Sequence, residues 1–397
     1  MRAGNERVLA ARLADAKFFF EEDMSSRLVD RVEQLKGVVF QERLGSMHAK
    51  AVRTGKLAGK LLAGRPVAAM TEPAALLAKA DLLTSMVREF TELQGVMGRE
   101  YALRQGVEPA LAEAIYEHYL PRFTGDALPA SQLGAALSVA DKVDTIVGYF
   151  SIGLIPSGSA DPYALRRQAA GVLAVYVDAK YVYGLDSLVE DAARLYVDAG
   201  IVDEASVDGV VRQVMEFIAT RLNVAMVEAG VRYDIADAAI AAGIGMPACT
   251  WERAWAVTSV AGEAWFEALA TAASRVRNIS THAEVAQFTP GLFVETAEFE
   301  LHKAMMDLES EVRPSVESRA SGFIDRNAYA SALGRTSEIV STINHYFDSV
   351  MVMADDSEVR ANRLGMLRVL HKTLSLVVDL SKIVFAQQRE QLEAAPM

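Results

Sequence analysis

Between Val359 and Val378 the chain carries Arg360, Arg363, Arg368 and Lys372 and no acid, in a protein of formal net charge −12. Set at the 100° per residue of an α-helix, Leu364, Leu367, Leu370, Leu374 and Val377 fall on one arc. Such a stretch gains a buried apolar face as a helix. Just upstream, HYFDSVMVMADDS ends an earlier helical pattern in an acidic turn. Asp355 stands three residues ahead of Glu358, the spacing of a capping box. The pattern predicts a helix, a tight turn and a second long helix over His345–Ile383. Arg363 lies inside the apolar arc, and a buried guanidinium needs a carboxylate partner. Asp348 or Asp355, at the helix junction, is the expected partner. Arg368 and Lys372 share a flank outside the arc, Arg360 lies at its edge, and Asn362 lies opposite Arg363. Arg360, Arg368 and Lys372 are thus free to face a polyanion. A solvated helix face fits the same spacing and, on spacing alone, stands ahead of it.

The rest of the chain bounds the answer. Its 397 residues suffice for two or three domains, and 51% are hydrophobic. Cys249 is the sole cysteine, so no intrachain disulfide can form and a reducing compartment fits. No apolar run reaches the roughly 18 residues of a membrane span, and MRAGNERV lacks the apolar core of a secretory signal. The expectation is a soluble, cytoplasmic protein without a membrane partner. The net charge of −12 argues against a generic nucleic-acid binder but leaves room for a local basic patch.

Helical periodicity recurs from the start. NERVLAARLADAKFFFEED offers Asn5 as a cap and Val8, Leu9, Leu13, Ala16 and Phe20 as a stripe, with Phe18, Phe19 and Phe20 expected in the core. RLVDRVEQLKGVVF and RLGSMHAKAVRTGKLAGKLLAG read as two further helices. TEPAALLAKADLLTSMVREF reads as one, with Pro73 in its first turn and Leu76, Ala80, Leu83 and Val87 on one stripe. Ser131 caps SQLGAALSVADKVDTIVGYF. IGLIPSGSADP reads as a loop, and Asp161-Pro162 as the cap and first residue of the next helix. Phosphate-cradling loops of the G-x-x-x-x-G-K-[ST] kind and zinc-binding cysteine pairs are absent. Cys249, in PACTWERAW, is expected to be a buried thiol beside Trp251 and Trp255.

FDSVMVMADDSEVRANRLGMLRVL closely resembles the C-terminal anticodon-binding helices of the bacterial glycyl-tRNA synthetase β subunit, of the α2β2 type. Phe347, Asp348, Val350 to Ala354, Arg360, Asn362, Arg363 and Leu364 carry the likeness. ELQGVMGREYAL, HYLPRFTGDALP, LGAALSVADKVDTIVGYFSIGLIPSGSADPYALRR and the opening NERVLAARLADAKFFFEED resemble the same family's HD-type helical region. The resemblance implies an all-α chain. It would hold an HD-like helical bundle over residues 1–165, a helical connector over 166–283 and a C-terminal helical (DALR-type) anticodon-binding domain over 284–397. The long N-terminal portion of that family's β chain has no counterpart here, which implies the C-terminal part of a longer protein.

In that family the α subunit carries the site for glycine and ATP, and the β subunit supplies tRNA recognition. The resemblance therefore implies tRNA-Gly and an α subunit, in an α2β2 assembly, as partners. It implies no catalytic residue and no cofactor in this part, ATP and Mg being used through the α subunit. Anticodon loops need cations for phosphates and flat or amide groups for splayed bases. Arg360, Arg368 and Lys372 suit the backbone, and Asn362, His345 and Tyr346 could touch bases. For His345 and Tyr346, helix packing fits as well. Arg166 and Arg167 could form a second phosphate contact, though an ordinary solvated pair is the better reading.

An HD phosphohydrolase needs a histidine, a His-Asp pair and a later aspartate around its metal. His48 could be the first ligand. The pair position reads Ala80-Asp81, so the central histidine is missing. Asp141 and Asp144 could supply the last carboxylate, and His118 is spare. Losing one ligand generally ends metal affinity, so no metal is expected. Two alternatives stand beside tRNA binding: a metal-dependent phosphohydrolase of the HD type, and a helical scaffold for the α subunit without RNA contact.

Overall fold

The structure, a computed structural model, describes residues 2–317 and 322–384. Apart from one short antiparallel ribbon, β1 (Val39–Gln41) with β2 (Gly45–Ser46), its regular elements are helices, as the sequence predicts. The chain divides into two compact units between Arg221 and Leu222.

In the first unit the helices are α1 (Arg2–Met24), α2 (Met47–Leu61), α3 (Thr71–Leu77), α4 (Ser85–Glu89), α5 (Val96–Arg104), α6 (Pro109–Glu117), α7 (Gln132–Ser151), α8 (Leu165–Ala179) and α9 (Leu185–Asp198). The next helix, α10 (Val207–Glu228), contains the division point. Almost every residue of α7 is buried, because α2, α6, α8 and α9 pack around it. Ser131 caps it as expected, its hydroxyl accepting from Gly134 N at 2.9 Å. Gly148 lets α9 approach: a Cβ there would collide with the Tyr196 ring.

Several expectations for this unit fail for local reasons. The first helix starts at Arg2, ahead of Asn5, and leaves Val8, Leu9, Leu13 and Phe18 exposed, with Phe19 and Phe20 half-buried. The triple phenylalanine is therefore not core. RLVDRVEQLKGVVF forms two 3-10 turns, Leu28–Arg31 and Glu33–Gly37, that lead into β1. TEPAALLAKADLLTSMVREF breaks into α3, a 3-10 turn (Ala80–Leu83) and α4. The break is enforced by caps: Thr84 Oγ1 accepts from Val87 N, and buried Asp23 accepts from Ser85 N and Met86 N. IGLIPSGSADP is a loop, but Pro162 is not the first residue of α8. Asp161 reaches forward instead to accept from Leu165 N at 2.8 Å and Arg166 N at 2.9 Å.

The second unit holds α11 (Tyr233–Ala241), α12 (Pro247–Val260), α13 (Ala264–Ser280), α14 (Thr296–Val316), α15 (Arg326–Ser337), α16 (Val340–Ser349) and α17 (Ser357–Leu374). Cys249 is buried, its Sγ accepting from Ile324 N at 3.5 Å. The last α-helix among the described residues, α17, lies against α13 and α14. Its arc is as predicted: Leu364, Leu367, Leu370 and Leu374 are buried, and Val377 just beyond its end is buried too. The cap is one residue later than expected. Asp356, not Asp355, accepts from Glu358 N at 2.8 Å and Val359 N at 3.2 Å.

Candidate nucleic-acid interface

Two side chains fix α17 in place. Arg363 is buried, as its position on the arc requires, but neither Asp348 nor Asp355 is its partner. Both of those aspartates are exposed. Arg363 Nε and Nη2 donate to Glu298 at 3.0 and 3.1 Å, and Nη1 donates to the Met351 carbonyl at 2.9 Å. Glu298 also belongs to the capping box that starts α14, accepting from Val294 N and Glu295 N at 2.8 Å each. Burial raises the affinity of this carboxyl for its proton, but the Arg363 guanidinium and the two backbone N–H groups overcome that and hold its pKa below the usual range. Sequence reasoning missed Glu298. The sign available was Glu-x-x-Glu opening an apolar-periodic run, in ETAEFEL.

Asn362 is the second anchor. Its Oδ1 accepts from Thr289 N at 2.7 Å and its Nδ2 donates to Thr289 O at 3.2 Å, with the residue 6% exposed. The amide is spent on the backbone, which removes Asn362 from the base-touching set expected from the sequence. Its position opposite Arg363 did not leave it outside, because residues 285–289 run over that side of the helix. Gly365 permits the close approach, since a Cβ there would collide with the Gln287 carbonyl. Tyr346 is fully buried and also leaves the set.

The remaining candidates lie nearer the surface. Arg360 is half-buried, with Nη1 donating to Ala354 O at 2.9 Å. Arg368 is half-buried and donates to the Ala283 carbonyl. Lys372 is exposed. His345 is exposed, with Nε2 3.6 Å from Glu300 and Nδ1 3.3 Å from the Ser349 hydroxyl. Half-buried His371 is pushed below the ordinary histidine value by burial first, against the opposing charge of Asp379, with Arg277 and Arg368 adding to the lowering. Against α17 lies a ring group, for which no sequence motif is a sign, formed by Phe288, Phe293, Phe299 and His302. Phe288 and Phe293 are stacked at 5.9 Å, Phe299 meets Phe293 edge-on at 5.1 Å, and His302 lies 5.2 Å from Phe288. Phe299 is 52% exposed. A hollow of about 510 Å³ between residues 285–289 and α17 is lined by Phe288, Ala361 and Val369. Glu358 also lines this hollow, and an exposed ring such as Phe299 is a group on which single-stranded RNA recognition stacks bases.

The HD positions lie in the first unit. Ala80 and Asp81 are buried in the 3-10 turn. Asp81 Oδ2 accepts from Gly95 N at 2.6 Å, and burial raises its pKa to about 6. Asp141 is bound by ammonium groups, Lys79 at 3.2 Å and Lys50 at 3.3 Å. Burial acts against its charge, but these lysines hold its pKa well below the usual range. Asp144 is taken by Arg53 at 2.6 Å and Lys50 at 3.2 Å. His48 is half-buried with Nε2 4.0 Å from Glu33, and does not join them. His118 is buried, and both burial and the Lys79 charge lower its pKa well below the ordinary value. Among the described residues no three His, Cys, Asp or Glu side chains converge to hold a metal ion. Arg166 is tied to Gly158 O at 2.7 Å, and Arg167 is exposed. No helix among the described residues is long and apolar enough to cross a membrane.

Comparison with known proteins bears on both units. A family model described as the glycyl-tRNA synthetase beta subunit matches residues 1–241, and one described as the DALR anticodon binding domain matches residues 267–388. The glycine–tRNA ligase beta subunit of Desulforudis audaxviator is 43% identical over 391 residues, covering 96% of this chain and 54% of the relative. That of Desulforamulus reducens is 44% identical over 386 residues, and that of Geobacter metallireducens 43% over 382, with the same shares covered. The chain spans about half the length of these curated relatives. With a match over most of its length, it belongs to the glycyl-tRNA synthetase beta subunit family and carries a DALR anticodon binding domain.

Proposed function

We propose that this chain is the tRNA-binding portion of a cytoplasmic glycine–tRNA ligase β subunit, acting on tRNA-Gly beside a catalytic α subunit in an α2β2 assembly. The α subunit would supply ATP- and Mg-dependent attachment of glycine, and this portion would supply grip and anticodon discrimination. Within it we assign an HD-like bundle to residues 1–165, a helical connector to 166–283 and the anticodon reader to 284–397. One observation carries the proposal. The anticodon-domain match, residues 267–388, spans α17 with its outer cations and the ring group of Phe288, Phe293, Phe299 and His302. Arg360, Arg368 and Lys372 would meet phosphates, and Phe299 and His345 would meet bases.

The test is binding of the 397-residue chain to tRNA-Gly and to the same tRNA with its anticodon exchanged. We expect preference for the glycine anticodon. Phe299→Ala, which removes an exposed ring, should lower that preference about tenfold, the effect of losing one stacked base. Lys372→Ala should weaken both tRNAs alike, as loss of a phosphate contact does. Equal affinity for the two tRNAs, unchanged by either substitution, would leave only the scaffold reading.

A further inference from the structure

In the first unit, three lysine side chains and Asp141, one of the HD positions, line a single cavity. Lys50, Lys79 and Lys142 are each at most 6% exposed, and all three line a cavity of about 380 Å³ together with Asp141. Asp141 is shared, at 3.3 Å from Lys50 and 3.2 Å from Lys79. Lys142 is held by neutral oxygens, Leu120 O at 2.9 Å and Ser138 Oγ at 2.8 Å. Of the two other nearby acids, Asp144 is spent on Arg53 and Lys50, and Asp81, whose charge also reaches Lys79, accepts from Gly95 N. Exposed Arg167 stands among the lining residues and adds positive charge. The cavity lining thus sets three buried lysines against one carboxylate, and the cost of burying their charge shows in the lowered pKa values of Lys79 and of Lys142, the latter brought to about 7.

The same cavity holds unspent polar groups of both kinds. The Tyr119 hydroxyl is buried without a hydrogen-bond partner, and the Lys79 ammonium lies over the ring of Tyr119, 4.5 Å from its centroid. His118 Nδ1 lies 2.7 Å from the Ile115 carbonyl, which can only accept, so Nδ1 carries the proton. Nε2 is then an acceptor, and it too is buried without a partner. Lys79 and Tyr119 can donate to an anionic oxygen, and His118 Nε2 can accept from an O–H.

We propose that this cavity binds a hydroxyl-bearing phosphate, of which inorganic hydrogen phosphate is the smallest member. The Lys79 ammonium and Tyr119 hydroxyl donate to its charged oxygens, Lys50 and Lys142 supply field, and its P–O–H donates to His118 Nε2. Sulfate matches the shape and charge but brings no O–H, so the site distinguishes the two.

The test is calorimetric titration of the full chain with inorganic phosphate and with sulfate, at constant ionic strength held with chloride. Saturable, one-to-one phosphate binding is expected, with sulfate about tenfold weaker, the order of one unmade hydrogen bond to a buried acceptor. Lys79→Met should weaken phosphate about tenfold or more, and Arg167→Gln, at an exposed position that should not disturb folding, about threefold. His118→Phe should bring phosphate down to the sulfate value. No saturable phosphate binding above the chloride control, or equal binding of phosphate and sulfate, overturns the proposal. So does phosphate affinity left unchanged by both Lys79→Met and Arg167→Gln. A competition arm identifies the source. Displacement of phosphate by a 5′-phosphorylated RNA oligonucleotide, but not by its 5′-hydroxyl form, assigns the site to an RNA end. Failure of both to compete assigns it to free phosphate.

Discussion

Arg363 and Glu298 form a buried pair in which each member would be expensive alone. Arg363 also holds the Met351 carbonyl, and Glu298 also holds two backbone N–H groups at the start of α14. Removing the guanidinium leaves a buried carboxylate with only part of its compensation. Arg363→Met should therefore destabilise the second unit by about 3 kcal/mol, the lower end for breaking a buried pair. Adding Glu298→Gln should recover part of the loss, since no uncompensated charge then remains. The pH dependence has a definite sign. Glu298 has a folded pKa below its ordinary 4.5, so its contribution is present above about pH 4.5 and is lost as pH falls through the folded value. Urea unfolding at pH 7 and pH 4 checks both points, and the gap between wild type and Arg363→Met should narrow at the lower pH. A gap independent of pH would mean that the loss is packing of the arginine stem alone. That Arg363 is buried could be read from its place among the leucines. Its partner could not, because Glu298 lies 65 residues away and no local spacing joins them.

α17 itself was legible, including its buried arc and its acidic turn. Its cap lies one residue beyond the capping-box spacing because two adjacent aspartates compete and the backbone decides for Asp356. What periodicity could not show is that both sides of this helix are covered. Asn362 looked outward on a helical wheel, yet residues 285–289 cross over it and Gly365 admits them. The break between α3 and α4 is hidden from periodicity for a related reason. The apolar stripe continued, while the Thr84 cap and the distant Asp23 carboxylate ended the helix. Gly365 gives a prediction whose sign separates local from tertiary control. In a free helix, alanine for glycine would stabilise by about 1 kcal/mol. Here the added methyl meets the Gln287 carbonyl, a backbone atom that can move only with its segment. Gly365→Ala should destabilise by about 1–3 kcal/mol and expose the amide of Thr289 to hydrogen exchange as its bond to Asn362 loosens. Stabilisation, with Thr289 still protected, would show that the crossing segment does not bear on the helix.

At the scale of the whole chain, the sequence states a net charge but not where the charges meet. Lys50, Lys79 and Lys142 are spread over 92 positions, and only the packing of α2 and α7 with the turn before Ala80 gathers them around Asp141. The same holds for the outer cations of α17, which act in a molecule of net charge −12. An RNA approaching such a protein is repelled by most of its surface and attracted by a small patch. Binding should then depend on salt through few released counter-ions. If Arg360, Arg368 and Lys372 make the main phosphate contacts, together with Arg277, about three or four ions are released, and log K against log salt has a slope of about −3. Arg360 and Arg368 already donate to backbone carbonyls, so exposed Lys372 should contribute most cleanly, and Lys372→Ala should reduce the slope by about 1. Measuring tRNA affinity across a salt series decides this. A slope steeper than about −8, unaffected by Lys372→Ala, would require a broad basic surface and would move the RNA contacts away from α17.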